Sequence, residues 1–282
     1  MILKNIVKLT MSVALFTTAS CVPETVDGDG RGIDDKNIDP SFTVTKTAEN
    51  KYSLKRNLNN YIASKWNIDE DGYYVGKAEE NLFLPDAGTF VVEHQAIGMG
   101  GESKIATQTL VVPTSDPNAG NMVKGGRLDT PEEVAKWTIH KISPSGAQWV
   151  FANKKATLVA QDGNQQGFYQ AIDVVAGQKY SIDLVASSET PLVNTWFEVY
   201  VLDHAPVDGQ DVNGQVYRNI NTWAGCGLAK FSGKVSTIGC DDAKNSGKYT
   251  ATKTGTVYLE VKCGGSKINA LSVDKIEFRK TT

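Results

Sequence analysis

The segment Trp196-Phe-Glu-Val-Tyr-Val-Leu202 carries the most suggestive chemistry in this sequence. Read as a strand, its period of two puts Trp196, Glu198 and Tyr200 on one face, with Phe197, Val199 and Val201 on the other. The aliphatic face belongs to a core, so two large rings flanking a carboxylate would look away from it. Saccharides offer apolar C–H faces that stack on aromatic rings, and hydroxyls that hydrogen-bond to carboxylates and amides. Asn194 and Thr195 add polar groups beside the stripe. The competing reading packs Trp196 beneath a loop or a neighbouring domain.

A second aromatic supply lies in residues 212–227, a long, polar, glycine-bearing connection with Tyr217, Arg218, Asn221 and Trp223. Loops lie on the surface, so core packing explains a loop tryptophan poorly. Gln165 and Gln166 precede Tyr169 in a third expected loop, 163–167. The candidate ligand contacts are therefore Trp196, Glu198, Tyr200, Trp223, Gln165 and Gln166, with Trp149 as a further candidate. Arg218 is the one cation among these segments that could meet an acidic sugar. Trp137, alternating with Ile139, reads as core.

Catalysis finds little material. Glycosidases hold two carboxylates across the scissile bond, about 5–5.5 Å apart for retention and about 6.5–9.5 Å for inversion. Glu198 with Asp183 on a neighbouring strand is the only pair that can be constructed, and Asp274 and Glu277 would point to opposite faces. No Gly-x-Ser-x-Gly elbow and no His-Glu-x-x-His helix occurs. With three histidines and four cysteines, the chain also has little with which to build zinc or haem chemistry. His94 sits in an alternating strand without a second candidate ligand and reads as a packed or surface residue. The expectation is a binding protein, not an enzyme, with no cofactor and no metal.

Of the cysteines, Cys263 falls in phase with Val257, Leu259 and Val261 and is expected to be a free buried thiol. Cys226 and Cys240 bracket a loop rich in glycine and serine, and theirs is the favoured disulfide among three formal pairings. It would close roughly 15 residues and contribute on the order of 3 kcal/mol in the chain-entropy model.

These residues need scaffolds, and composition says of what kind. The chain has 282 residues, 40% hydrophobic and 22% charged, with 26 glycines, 10 tyrosines and 4 methionines. That suits a turn-rich all-β protein of one or two domains. A net charge of −3 argues against a nucleic-acid partner. Lys4 and Lys8, an apolar run from Leu9 to Phe16, and the small residues Thr17-Thr-Ala-Ser20 before Cys21 make residues 1–20 a signal peptide. This ending resembles a bacterial lipoprotein signal, although Thr18 stands where leucine is usual. The resemblance implies diacylation of Cys21 and anchorage in the outer membrane. Residues 21–40, with Glu24, Asp27, Asp29, Asp34 and Asp35, read as an acidic flexible tether. The run also resembles the surface-export signal of glycan-harvesting Gram-negative bacteria, and equally suits a plain solvated linker.

Residues 41–113 show short alternating segments at turn spacing, as in a small β-sandwich. The order of Trp66, then Ala87-Gly-Thr-Phe90-Val, then a glycine-rich hairpin resembles a PKD-type immunoglobulin-like domain, with Trp66-Asn-Ile-Asp69 in place of the usual Trp-Asp-Phe-Gly-Asp-Gly. Such domains commonly serve as spacers. Residues 114–120 make a short, stiff linker. Residues 121–282 hold eight or more candidate strands. Met122-Val-Lys-Gly-Gly126 with Trp137-Thr-Ile139, Gly167 to Tyr180, and Ile268 to Phe278 together resemble a carbohydrate-binding module of the galactose-binding-like jelly-roll type. Such modules often carry a structural calcium near the joined termini. Asp129 and Asp274 are its possible donors, but Arg127-Leu-Asp129 departs from the usual Gly-Asp-Phe-Glu opening, and no site is assigned.

The combined expectation is a surface glycan-binding lipoprotein: an anchor, a tether, a spacer and a sugar-binding jelly roll. The ligand would be a polysaccharide or oligosaccharide, with neutral β-glucan the first choice. By resemblance, the partners would be a TonB-dependent transporter and its glycan-binding lipoprotein lid. The alternative is an adhesive or structural surface protein whose aromatic patch binds a protein.

Overall fold

Apolar residues at strand period bury Phe42, Leu54, Trp66 and Val92 in one cluster, and Tyr52, Leu84, Phe90 and Val112 in a second beside it. The computed structural model describes residues 38–57, 61–69, 71–98, 101–268 and 271–281. The signal peptide, Cys21 and the tether as far as residue 37 lie outside the described residues.

The first sandwich is built from β1 (Phe42–Ala48), β2 (Lys51–Arg56), β3 (Ala63–Ile68), β4 (Tyr74–Gly76), β5 (Glu79–Phe83), β6 (Gly88–Gly98) and β7 (Gly101–Val112). Antiparallel sheets of order β1-β2-β5 and β4-β3-β6-β7 enclose its core, an immunoglobulin-like arrangement. Trp66 on β3 is fully buried, meets Phe42 edge-on at 5.2 Å, and donates its indole N–H to the Lys77 carbonyl at 3.1 Å. His94 lies against Trp66 with ring centroids 4.2 Å apart and donates from Nδ1 to the Pro40 carbonyl at 2.6 Å. It is a packed histidine that fastens Pro40, two residues before β1.

The second sandwich begins with a helical turn, α1 (Pro131–Val134), and the strands β8 (Thr138–His140), β9 (Ala147–Ala152) and β10 (Lys155–Val174). It continues through β11 (Lys179–Ser188), β12 (Thr195–Leu202), β13 (Val216–Asn221), β14 (Phe231–Lys234), β15 (Lys248–Thr250), β16 (Gly255–Ile268) and β17 (Ser272–Thr281). Among the described residues these strands form one hydrogen-bonded network, which β10 folds into two layers. Its first half pairs with β9, with β17 and, at Ala160 and Gln161, with the end of β16; its second half pairs with β8 and the rest of β16. The change of layer falls where the register breaks between Gln161 and Asn164, with positive φ at Asp162 and Gly163.

Between the layers Phe168 sits at the centre of an aromatic cluster, edge-on to Trp137, Trp149 and Phe151 at 5.0, 5.1 and 5.4 Å. Such pairs contribute about 0.5–1.5 kcal/mol each beyond the area they bury. Trp137 is core as expected. Trp149 is core too, which corrects its reading as a ligand contact: Leu158 stands opposite it on β10 and the ring points inward.

Two expected loops are strands. Residues 163–167 belong to β10, and Val216–Asn221 form β13 at the edge of the β12 layer. The polar residues of β13 find partners that are distant in the sequence, on β11 and in the segment after β14. Arg218 donates from Nε to the Ile182 carbonyl at 2.8 Å and stands 3.4 Å from Asp183, while Asn219 donates to Asp242 at 3.2 Å. Arg218 is therefore a buried structural cation and is not available to an acidic sugar.

Among the described residues, three cations clamp the sandwiches together. Arg127 donates through Nη2 to Asp69 at 2.9 Å and through Nε to Asp129 at 2.7 Å. Arg279 forks onto Asp86 at 2.8 and 2.6 Å and reaches the Ala119 carbonyl at 2.9 Å. Lys275 pairs with Asp71. The segment between the sandwiches folds onto this joint: Asp116 donates its N–H to the Pro85 carbonyl at 2.7 Å and caps the Asn118 and Ala119 amides. Asp129 thus meets a guanidinium, and Lys155 and Lys275 flank Asp274, whose carboxyl burial holds above the usual range.

Charge-assisted bonds of this kind contribute about 1.5–3 kcal/mol each. The wild-type chain should unfold calorimetrically as one transition. An Arg127→Met/Arg279→Met double variant should show two, one per sandwich, and a single undiminished transition would refute the clamp.

Candidate functional site

Residues directly opposite in an antiparallel sheet share a face, and on the outer side of the β12 layer Trp196 stands opposite Gly264 on one side and Asn221 on the other. Gly264 in turn faces Gln165. A Cβ at Gly264 would come within 2.5 Å of the Trp196 ring and 2.6 Å of the Gln165 Cβ, so only glycine lets the indole lie down on the sheet. The ring is pinned there by its N–H, which donates to Gln165 Oε1 at 3.2 Å. Gln165 Nε2 donates onward to Asp211 at 2.9 Å.

Trp223 approaches from the side. It occupies a 3-10 turn, Thr222–Ala224, capped by the Asn221 side chain at 2.9 Å and ended by Gly225 at φ 87°. Immediately beyond, Cys226 is disulfide-bonded to Cys240 with Cα atoms 5.2 Å apart, and Cys263 is a free buried thiol. Trp223 is 63% exposed. Its ring centroid lies 6.1 Å from that of Trp196, with 38° between the planes. Two angled indoles with an amide and a carboxylate at their edge make an open, amphipathic platform.

The rest of the expected stripe is used internally. Glu198 stays on the outer face, but its Oε2 accepts from the Tyr200 hydroxyl at 2.7 Å and lies 3.2 Å from Lys262 Nζ. Tyr200 is buried, contrary to its expected exposure, because residues 203–215 fold back over this part of the sheet. Val212 and Val216 pack with Tyr200 and Leu202 beneath that cover. Burial, reinforced by the Glu198 carboxylate, pushes the Tyr200 phenol pKa upward. Gln166 is also inward: its Oε1 accepts the Trp149 backbone N–H at 2.7 Å and its carbonyl accepts the indole N–H at 2.8 Å. Thr195 is buried and Asn194 exposed. Asp183 is not a partner of Glu198; it stands opposite Glu277 and holds Ser236 at 2.6 Å.

Of the six expected contacts the structure therefore brings together Trp196, Trp223 and Gln165 at an open surface. Glu198 and Tyr200 lie behind them, and Gln166 faces the interior. Asp211 and Lys262 were not anticipated. Lys262 alternates with the inward Val261 and Cys263, and its ion pair to Glu198 follows from their pairing across β12 and β16, whereas that to Asp211 at 2.9 Å requires the folded loop. Burial opposes ionisation of Asp211, but bonds from Gln165 and Lys262 outweigh it and hold its carboxyl below the usual range. The loop is fastened further in by His140, fully buried, with Nδ1 2.6 Å from Glu260 and Nε2 3.0 Å from the Val207 carbonyl. Two acceptors facing one ring require two N–H groups. Burial pulls this imidazole down, yet the Glu260 carboxylate and the Val207 carbonyl together raise its pKa above 6.5. Among the described residues no three His, Cys, Asp or Glu side chains are grouped to hold a metal.

No family model matches the chain, and no curated protein matches it. Among solved structures, a carbohydrate-binding module of the β-sandwich superfamily aligns over 86% of this chain and 99% of its own, at 12% identity and a TM-score of 0.32. A CBM4 structure covers 56% of this chain and 99% of its own, at 15% identity and 0.35. TmCBM27, described as a mannan-recognising carbohydrate-binding module, covers 55% and 95%, at 12% and 0.34. Identities and scores this low leave the site to be read from this chain's own residues.

The two buried histidines should respond to pH in opposite senses. His140, raised above 6.5, contributes stability that is complete below that value and lost as pH rises through its folded pKa. His94, which burial lowers, favours the fold above 6.5 and destabilises it as pH falls through its folded pKa. Denaturant titrations across this range should show His140→Gln flattening the alkaline decline and His94→Gln the acidic one. Unchanged slopes would contradict the assignment.

Proposed function

We propose that this chain is a non-catalytic glycan-binding protein whose contact surface is the Trp196–Trp223 platform. The observation that carries this reading is an exposed indole, held on a disulfide-closed turn, angled against a second indole that is itself pinned to the sheet. Rigid rings lose little conformational freedom on binding, and the adjoining Gln165 and Asp211 supply a donor and an acceptor for sugar hydroxyls. Lys262 is taken up by two carboxylates and Arg218 by the interior, which favours a neutral glycan, β-glucan first among them. The carboxylates that hydrolysis would need are absorbed too: Glu198 by Tyr200 and Lys262, Asp183 by Arg218 and Ser236.

The wider setting is part of the same proposal. A lipoprotein signal ending at Cys21 and an acidic tether would hold the sandwiches outside the outer membrane, with the PKD-like domain as spacer. Capture there would serve a TonB-dependent transporter and its lipoprotein lid. Many copies on one membrane would raise the effective concentration of modest individual sites.

Affinity electrophoresis of residues 22–282 through gels containing β-1,3-glucan, mixed-linkage glucan, xylan, mannan or pectin tests the reading. One neutral glycan should retard the protein. Trp223→Ala and Gly264→Val should each weaken that retardation at least tenfold, about 1.4 kcal/mol, while Gln166→Leu loses stability and spares affinity in the protein that remains folded. No retardation across the panel would overturn glycan capture and turn attention to a protein partner.

A further inference from the structure

Gln165 and Gln166 leave β10 on opposite sides, and on the Gln166 side a groove of about 810 Å³ opens between residues 139–150 and the strand segment 159–161. Small-molecule sites typically occupy about 300–1,000 Å³. The groove is distinct from the indole platform, with which it shares no side chain, and its chemistry is mixed. Val150 and Val159, 42% and 48% exposed, offer an aliphatic surface. Ser145, Gln148 and Gln161, all exposed, offer hydroxyl and amide groups.

One charge lines it. Lys141 has its backbone fixed by the Asp208 carboxylate, which accepts its N–H at 2.9 Å, and its side chain is exposed. Among the described residues the Lys141 ammonium has no ion-pair partner, and no carboxylate lines the groove. The contrast with the platform is chemical: there the lysine is neutralised by two acids and a carboxylate is exposed, whereas here the ammonium makes no ion pair and the nearby Asp208 carboxylate is engaged by the backbone N–H.

The walls are preformed. The Ser143 N–H donates to the Gln165 carbonyl at 3.1 Å, and the Gln165 N–H donates to Ser143 Oγ at 3.0 Å. The Gln161 N–H closes onto the Gly146 carbonyl at 2.9 Å. At Gly146, φ is +81°, and a Cβ would lie 2.3 Å from the Asn164 amide, so the turn that forms one wall needs glycine for both reasons.

We propose that this groove is a second saccharide subsite, specific for a sugar bearing a carboxylate, as in a uronic acid. The sugar's C–H face lies on Val150 and Val159, its hydroxyls bond to Gln148 and Gln161, and its carboxylate takes a charge-assisted bond from Lys141. The choice of a saccharide rests on the function proposed above; the preference for an anion rests on Lys141 and the absence of acids from the walls.

Isothermal titration of residues 22–282 with trigalacturonic acid, and separately with the neutral galactotriose, tests this. Trigalacturonic acid should bind and weaken with added salt, and galactotriose should bind at least tenfold more weakly. Lys141→Gln and the groove-filling Val159→Trp, both at exposed positions, should each reduce trigalacturonate affinity at least tenfold, with circular dichroism unchanged. Trp223→Ala should leave it unaltered. Absence of trigalacturonate binding, insensitivity to both groove variants, or loss in Trp223→Ala would overturn the proposal. The platform is judged separately by the neutral-glycan gels, so trigalacturonate binding without neutral-glycan retardation would sink the platform and keep the groove, and the reverse result would do the opposite.

Discussion

Strand β10 must satisfy its backbone hydrogen bonds in both layers of the second sandwich, and much else follows from how it does so. It pairs with β9, β17 and the end of β16 before the break at Asp162 and Gly163, and with β8 and the rest of β16 after it. The break resets which side chains point inward. Phe168 then lands at the centre of the aromatic core, Gln166 turns in to satisfy Trp149, and Gln165 turns out to meet Trp196. A register slip of one residue would exchange the two glutamines and remove both the core's polar partner and the platform's amide.

Much of this architecture was legible along the chain, because alternation is a local signal. Phe197 and Val199 face the core while Trp196 and Glu198 face outward, as the period of two requires. Tyr200 shows where a local signal stops. The β12–β13 register shifts between Val199 and Tyr200, and residues 203–215 then cover the ring, so its environment is set by a loop whose path no periodicity encodes. β13 failed for a related reason: Arg218 and Asn219 look solvent-bound in sequence, and the carbonyl and carboxylate that satisfy them come from Ile182 and Asp242. The two glutamines suggest a loop because glycines flank them, yet the stretch remains a strand.

The joint between the sandwiches is electrostatic where a purely apolar one would have been simpler. Arg127 lies within reach of both Asp69 and Asp129, so one guanidinium neutralises an acid from each sandwich. Asp274 is flanked by lysines and left with a buried, unbonded oxygen. Cationic side chains thus stand at the acids that the opening and closing segments bring together. Because Arg127 and Lys275 also pair with Asp69 and Asp71 of the first sandwich, the joint and the local charge balance are one structural problem with one solution.

The tryptophans differ sharply in their surroundings. Trp66, Trp137 and Trp149 are enclosed, Trp196 is half-covered, and Trp223 alone stands in open water. An indole in water emits at longer wavelength than one shielded from it. The red edge of the protein's intrinsic emission therefore belongs to Trp223, beside the Cys226–Cys240 bridge. Anything that covers that ring shifts the spectrum to the blue, so the molecule carries its own optical gauge of occupancy, with no label attached.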